Sequence, residues 1–196
     1  MIIGLTGQSG AGKTTVSDIF KSEGFYIINA DAISREVSMQ QNVLLELQNA
    51  FGSEVVQNGM LNRRLLGSLV FSNRELLDKL NAIMFPKIMS EIKRQIEKCQ
   101  SQFILLDAPQ LFESGADKLC TAVVAVTAPK TVLISRIMKR DGISYSDAVS
   151  RLQSQLPHTF FRQNARFVIE NDGDTYSLIE KTNVVIAEIR GNIAVG

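Results

Sequence analysis

The chain has 196 residues, with 21 Lys and Arg against 20 Asp and Glu and a formal charge of +1. That balance supplies no basic field for coating a polyanion, so nucleic acid is not expected as a partner, and the length suits one α/β domain with a proper core. No apolar run approaches membrane-spanning length and the start MIIGLTG has neither a basic stretch nor a cleavage site, so a soluble cytoplasmic protein is expected, monomeric or weakly homo-oligomeric.

The first element, Met1–Leu5, reads as a strand and feeds directly into Gly-Gln-Ser-Gly-Ala-Gly-Lys-Thr at residues 7–14, a complete G-x-x-x-x-G-K-[ST] loop. A strand, a glycine-rich turn and a helix start in that order aim several backbone N–H groups at one point, which suits polyphosphate. Gly7, Gly10 and Gly12 permit the close wrap and positive φ, Lys13 supplies a mobile charge for the β- and γ-phosphates, and the Thr14 hydroxyl is a Mg²⁺ ligand candidate. Gln8, Ser9, Ala11 and Thr15 complete the expected nucleotide-binding segment.

Further apolar runs follow at Phe25–Ile28, Phe103–Leu106, Ala122–Val126 and Phe167–Ile169. Helical periodicity covers Lys13–Glu23, Asn42–Phe51, Asn62–Val70, Arg74–Cys99, Pro129–Arg140, Ser144–Gln155 and Thr175–Ile189. The pattern predicts an α/β three-layer sandwich around a five-stranded parallel sheet. Asn73 and Ser144 are natural helix caps, and Asp141-Gly142 closes the helix before the second. The roughly seventy residues between the second and third strands exceed what a crossover needs. They are expected as a helical insertion, about 34–100, within a single domain 1–196 whose lid spans about 136–165.

Ligands of open parallel sheets gather at the carboxyl ends of the strands. The second strand ends in Asn29-Ala30-Asp31, which places Asp31 beside the loop if that strand neighbours the first. There it is a candidate general base, or else a helix cap for Ala32–Val37. Four apolar residues precede Asp107 as in a Walker B segment, so Asp107 is a candidate for holding Mg²⁺ through water, or else a turn former before Pro109. Pro109 and Glu113 sit in the loop that follows, where Glu113 orients substrate or starts a helix. Arg136, Lys139 and Arg140 share one helix face at i, i+3 and i+4, either as a solvated face or as a lid that brings charge to the transferred phosphoryl group. Arg151 and Arg162 are weaker candidates.

Cys99 and Cys120 lack metal or disulfide spacing, and His158 is the only histidine, so acid and base roles fall to carboxylates or lysines. Phe112, Phe160 and Phe161 either stack on a base or fill the core.

Taken together, the chain resembles the dephospho-CoA kinases. The likeness runs through IGLTG-QSGAGKTT, Ile28–Ile33, Phe51-Gly52, Asn58–Arg63, Leu65–Phe71, Asp107–Glu113, Arg136–Gly142, Gln155-Leu156-Pro157 and Val168–Asn171. It implies ATP-dependent phosphorylation of the ribose 3′-hydroxyl of dephospho-CoA, with ATP and Mg²⁺ held by the loop. By the same resemblance Asp31 is the general base, Arg140 a phosphate clamp, Arg136 and Asn171 belong to the ATP site with Asn171 near the adenine, and Arg63 and Leu65 border the acceptor pocket. Asp107, Pro109 and Glu113 complete the acceptor side. The chain departs from the family's usual residues at Asn29 (Asp), Phe85 (His), Gln110 (Leu), Phe161 (Lys) and Arg166 (Asp), which marks a divergent member. A nucleoside or nucleoside monophosphate kinase, and a noncatalytic ATP-binding regulator, are the competing readings.

Overall fold

The structure, a computed structural model, describes residues 1–71 and 73–191. Contacts divide the chain into two compact units, one of Met1–Ile28 with the chain from Gln100 onward, the other of Asn29–Cys99.

The first unit is built on a five-stranded parallel sheet in the order β2-β5-β1-β6-β7. Its strands are β1 (Ile2–Gly7), β2 (Tyr26–Asn29), β5 (Ile104–Asp107), β6 (Ala122–Thr127) and β7 (Phe167–Glu170). Every strand runs at least one residue past the end expected from its apolar run. The added residues are polar or glycine, yet the ladder continues through them, with Thr6 opposite Ala125 and Gly7 opposite Val126. Thr6 is fully buried and its hydroxyl donates to the carbonyl of Pro109 at 3.0 Å, so burial leaves its donor satisfied. β2 adjoins β5 and is one strand removed from β1. The condition that placed Asp31 beside the loop is therefore not met by strand order.

Helices α1 (Lys13–Ser22), α6 (Lys130–Asp141), α7 (Tyr145–Gln153), α8 (His158–Asn164) and α9 (Thr175–Gly191) complete this unit. Phe20, Leu133 and Ile137 enter a core with Leu5, Leu105 and Ile169 of the strands. At roughly 1.5–3 kcal/mol for each large side chain removed from water, this cluster is the main force holding the helices to the sheet. Ser144 caps α7 by accepting from the amide of Asp147 at 3.2 Å, and Gly142 ends α6 with φ 65°. α8 is absent from the helix pattern above because only seven residues follow Pro157, too few to show periodicity.

The second unit contains α2 (Ala30–Val37), α3 (Gln41–Phe51), a hairpin of β3 (Val56–Gln57) and β4 (Met60–Leu61), α4 (Arg63–Phe71) and α5 (Arg74–Lys98). The hairpin lies between the helices expected over Asn42–Phe51 and Asn62–Val70 and adds a short strand pair to the expected helical insertion. Its turn is Asn58-Gly59 with φ 51° and 74°, the double positive φ that favours this dipeptide in a tight two-residue connection. Two-residue strands are too short to alternate visibly. Asn73 caps α5 through its Oδ1, which accepts from Glu75 N at 2.9 Å and Leu76 N at 3.2 Å.

Candidate active site

β1 delivers the chain to the loop 7–14, and α1 begins at Lys13. The cap residue Gly12 has φ 94°, and a Cβ there would lie 2.4 Å from the Asn171 Nδ2. Any side chain would both strain the backbone and displace that amide. Within the loop, Ala11 N donates to Gln8 O at 3.1 Å, and Gly12 O accepts from Val16 N at 3.3 Å as the helix takes over.

Lys13 is ion-paired with Asp107, whose residue is 4% exposed at the end of β5. Pairing is what makes burial of this carboxylate tolerable, since an isolated charge at that depth would cost several kcal/mol. The Thr14 side chain, one residue on, is exposed. Thr14 and Asp107 offer only oxygen donors, the preference of Mg²⁺, and among the described residues no cluster of three or more His, Cys, Asp or Glu forms a complete cage. Two protein oxygens without a cage fit a cation that keeps water and takes phosphate oxygens.

Residues of α6 and of the α7–α8 connection reach the loop from far away in sequence. Arg140 Nη2 donates to Ser9 Oγ at 3.0 Å, Ser9 N donates to Gln155 Oε1 at 2.8 Å, and Gln8 Nε2 donates to Leu156 O at 3.3 Å. Gln155 was not among the sequence candidates. It lies 146 residues from its partner, and its one sequence signal is its place in Gln155-Leu156-Pro157, a segment of the family likeness. Asp141 holds Arg140 by two bonds, at 2.7 and 2.8 Å, and also pairs with Arg151. The hydrogen bond from Arg140 keeps the Asp141 carboxyl below the usual range, and the same bond raises the Arg140 pKa.

Arg136 and Arg140 both point to the loop, whereas Lys139 lines a separate depression beside Ser135 and Tyr145. The three basic residues thus do not converge, because the i+3 position has rotated away from the i, i+4 row. Arg136 donates to Gly10 O at 3.3 Å and to the carbonyl and side-chain oxygens of Asn171, both at 3.4 Å. Asn171 in turn donates from Nδ2 to Ala11 O at 2.8 Å.

Pro109 and Glu113 lie in the turn after β5. Glu113 is exposed as a residue, yet the protein surrounding its carboxyl withdraws enough solvent to raise its pKa. Phe160 meets Phe112 and Phe161 edge-on at 5.1 and 6.1 Å between centroids, Phe112 and Phe161 are tilted at 6.3 Å, and Phe161 is 3% exposed. Its place is in the core. Arg162 pairs through its guanidinium with Glu170 at 3.0 Å. Arg166 stacks over Phe167 at 5.4 Å. Burial pushes the Cys120 thiol up to about 12, which makes it inert.

In the second unit, Asp31 is an exposed residue in the first turn of α2. The cap of that helix is Asn29, whose Oδ1 accepts from Ala32 N at 2.8 Å, so Asp31 is not the capping residue. Asn serves a cap as well as Asp does, which accounts for the departure at position 29. Arg63 donates to Ser38 Oγ at 2.8 Å and Arg35 O at 3.3 Å, tying α4 to α2. Leu65 is half-buried, with its amide donating to Asn62 Oδ1 at 3.1 Å.

A loop of this form belongs to many kinases, so its geometry alone does not choose among them. The family model for dephospho-CoA kinase matches residues 1–177. The chain belongs to the dephospho-CoA kinase family. Among relatives, a dephospho-CoA kinase of Fusobacterium nucleatum is 38% identical over 182 residues, covering 92% of this chain and 94% of the relative. A crystal structure from Thermus thermophilus superposes with a TM-score of 0.84 at 32% identity, covering 96% of this chain and 97% of the other. The dephospho-CoA kinase from Campylobacter jejuni gives 0.72 at 30% identity, with 97% and 98% covered. The dephospho-CoA kinase resemblance therefore extends through both units, including the segments that carry Asp31, Arg63 and Leu65.

Proposed function

We propose that this chain transfers the γ-phosphoryl group of ATP to the ribose 3′-hydroxyl of dephospho-CoA, giving coenzyme A and ADP. The observation that supports this most is the phosphate loop at the carboxyl end of β1, with Lys13 engaged and Arg140 seated on Ser9, in a chain that matches the family over residues 1–177. The amides of residues 7–15 cradle the phosphates, and Lys13 leaves Asp107 to meet the β- and γ-phosphates. Thr14, with Asp107 through water, would hold Mg²⁺, which when bound neutralises charge on the phosphate oxygens.

Asp31 accepts the proton of the attacking hydroxyl. Its carboxylate is exposed and free of the capping bond that Asn29 makes. Arg140 stabilises charge on the transferred group, and the contacts of Gln8 and Ser9 with residues 155 and 156 make the lid respond to what occupies the loop. Arg136 and Asn171 serve the nucleotide site from α6 and β7. Arg63, Leu65, Pro109 and Glu113 border the acceptor. Among the described residues no helix is long and apolar enough to cross a membrane. The proposed enzyme works in the cytoplasm, as a monomer or weak homo-oligomer.

The deciding measurement is ADP release from Mg-ATP with and without dephospho-CoA, with nucleosides and nucleoside monophosphates as parallel acceptors. Release should depend on dephospho-CoA. Equal release with a nucleoside would reassign the acceptor, and binding of ATP without product from any acceptor would leave a regulator.

A further inference from the structure

Asn171 turns its side chain to the phosphate loop and to Arg136. It is 7% exposed, its Nδ2 donates to Ala11 O at 2.8 Å, and its Oδ1 accepts from Arg136 at 3.4 Å. Its own backbone is fixed as well, since Asn171 N donates to Thr127 O at 2.7 Å and ties the end of β7 to the end of β6.

A loop that turns its amides toward phosphate must turn carbonyls away, and those carbonyls need donors behind them. The Ala11–Gly12 peptide is trans, so its carbonyl and its N–H point in opposite directions. Holding Ala11 O on Asn171 therefore aims the Gly12 N–H away from β7. Arg136 does the same for the neighbouring carbonyl of Gly10 at 3.3 Å, and its charge lies behind the loop. The close approach at Gly12, where a Cβ would meet the Asn171 amide at 2.4 Å, shows how little play the brace allows.

We infer that Asn171, backed by Arg136, is a positioning residue that acts on nucleotide binding through the carbonyls of the loop and not by contact with the adenine. The inference rests on the loop being a triphosphate site, as in the function proposed above, and refines which part of ATP these two residues serve.

A ligand without base or sugar separates the two roles. Mg-ATP and Mg-tripolyphosphate would be titrated calorimetrically into the unsubstituted chain and into Asn171→Ala, with thermal unfolding as a check on folding. Loss of one buried hydrogen bond to the loop should weaken both ligands by the same factor, about five- to tenfold. Asn171→Asp, equal in size but without the donor, should not restore binding. Should Asn171→Ala fail to fold, Arg136→Lys carries the same expectation, because it keeps the charge and gives up the forked bonds to Gly10 and Asn171. Weaker ATP binding with unchanged tripolyphosphate binding would place the side chain on the base and overturn the inference, as would wild-type binding by Asn171→Asp. The assay contains no acceptor, so a wrong acceptor assignment leaves its outcome untouched. Failure of the unsubstituted chain to bind tripolyphosphate overturns the inference outright.

Discussion

The two units put their polar side chains to different uses. In the first, residues from α6, β5, β7 and the α7–α8 connection all end on the phosphate loop or on its lysine, over sequence separations of 94 to 160 residues. In the second, the corresponding side chains hold neighbouring helices: Asn29 caps α2, Asn62 caps the start of α4, and Arg63 joins α4 to α2. The first unit holds a main-chain loop kept in shape by distant side chains, whereas the second is a set of helices whose candidate acceptor contacts also maintain local structure. Substitutions in the first unit should therefore act on turnover with little change in folding, and those in the second should act on both.

Arg140→Ala tests this contrast most strongly. Arginines that offset charge on a transferring phosphoryl group contribute about 10³ to 10⁵ in rate, so turnover should fall by that order while the melting temperature stays near that of the unsubstituted chain. A fall of less than tenfold would reduce Arg140 to a surface partner of Asp141. Asp31→Asn comes next: loss of a general base costs about 10² to 10⁴, with ATP affinity preserved in a binding assay. Near-normal turnover removes Asp31 from the mechanism.

Arg63→Ala should raise the KM for dephospho-CoA and also lower stability by about 1 kcal/mol, through the lost bond to Ser38. Denaturant unfolding read beside steady-state kinetics separates the two effects, and a change in only one of them breaks the proposed contrast. The smallest effect concerns Glu113. Its carboxyl binds a proton more tightly in the folded chain than in the unfolded one, so it detracts from stability as pH rises from the ordinary glutamate range through its raised folded value. Glu113→Gln should be the more stable chain at neutral pH, with the difference vanishing in acid. A difference that grew in acid would contradict burial as the cause.

The phosphate loop is legible in sequence because its function is made by backbone conformation, which demands glycines and a lysine at fixed spacing. The five strands are legible because both faces of a parallel sheet are buried. The contacts that complete the site are not legible: Gln155 with Ser9 and Asn171 with Ala11 span about 150 residues, and the tertiary fold brings them together. Asn58-Gly59 did carry a hairpin signal, hidden by strands of two residues each. The place of β2 beside β5 rather than β1 is a matter of topology, which local patterns do not encode.

With its ammonium already matched by Asp107, the resting cradle is a poor trap for stray sulfate or orthophosphate. A single small anion must displace a carboxylate and leave it stranded in a buried place. Under the function proposed above, a triphosphate arriving with a divalent ion would bring a partner for each: the lysine would exchange one anion for another while the aspartate would gain a cation. Discrimination among the phosphates of a crowded solution would then begin before any base is read.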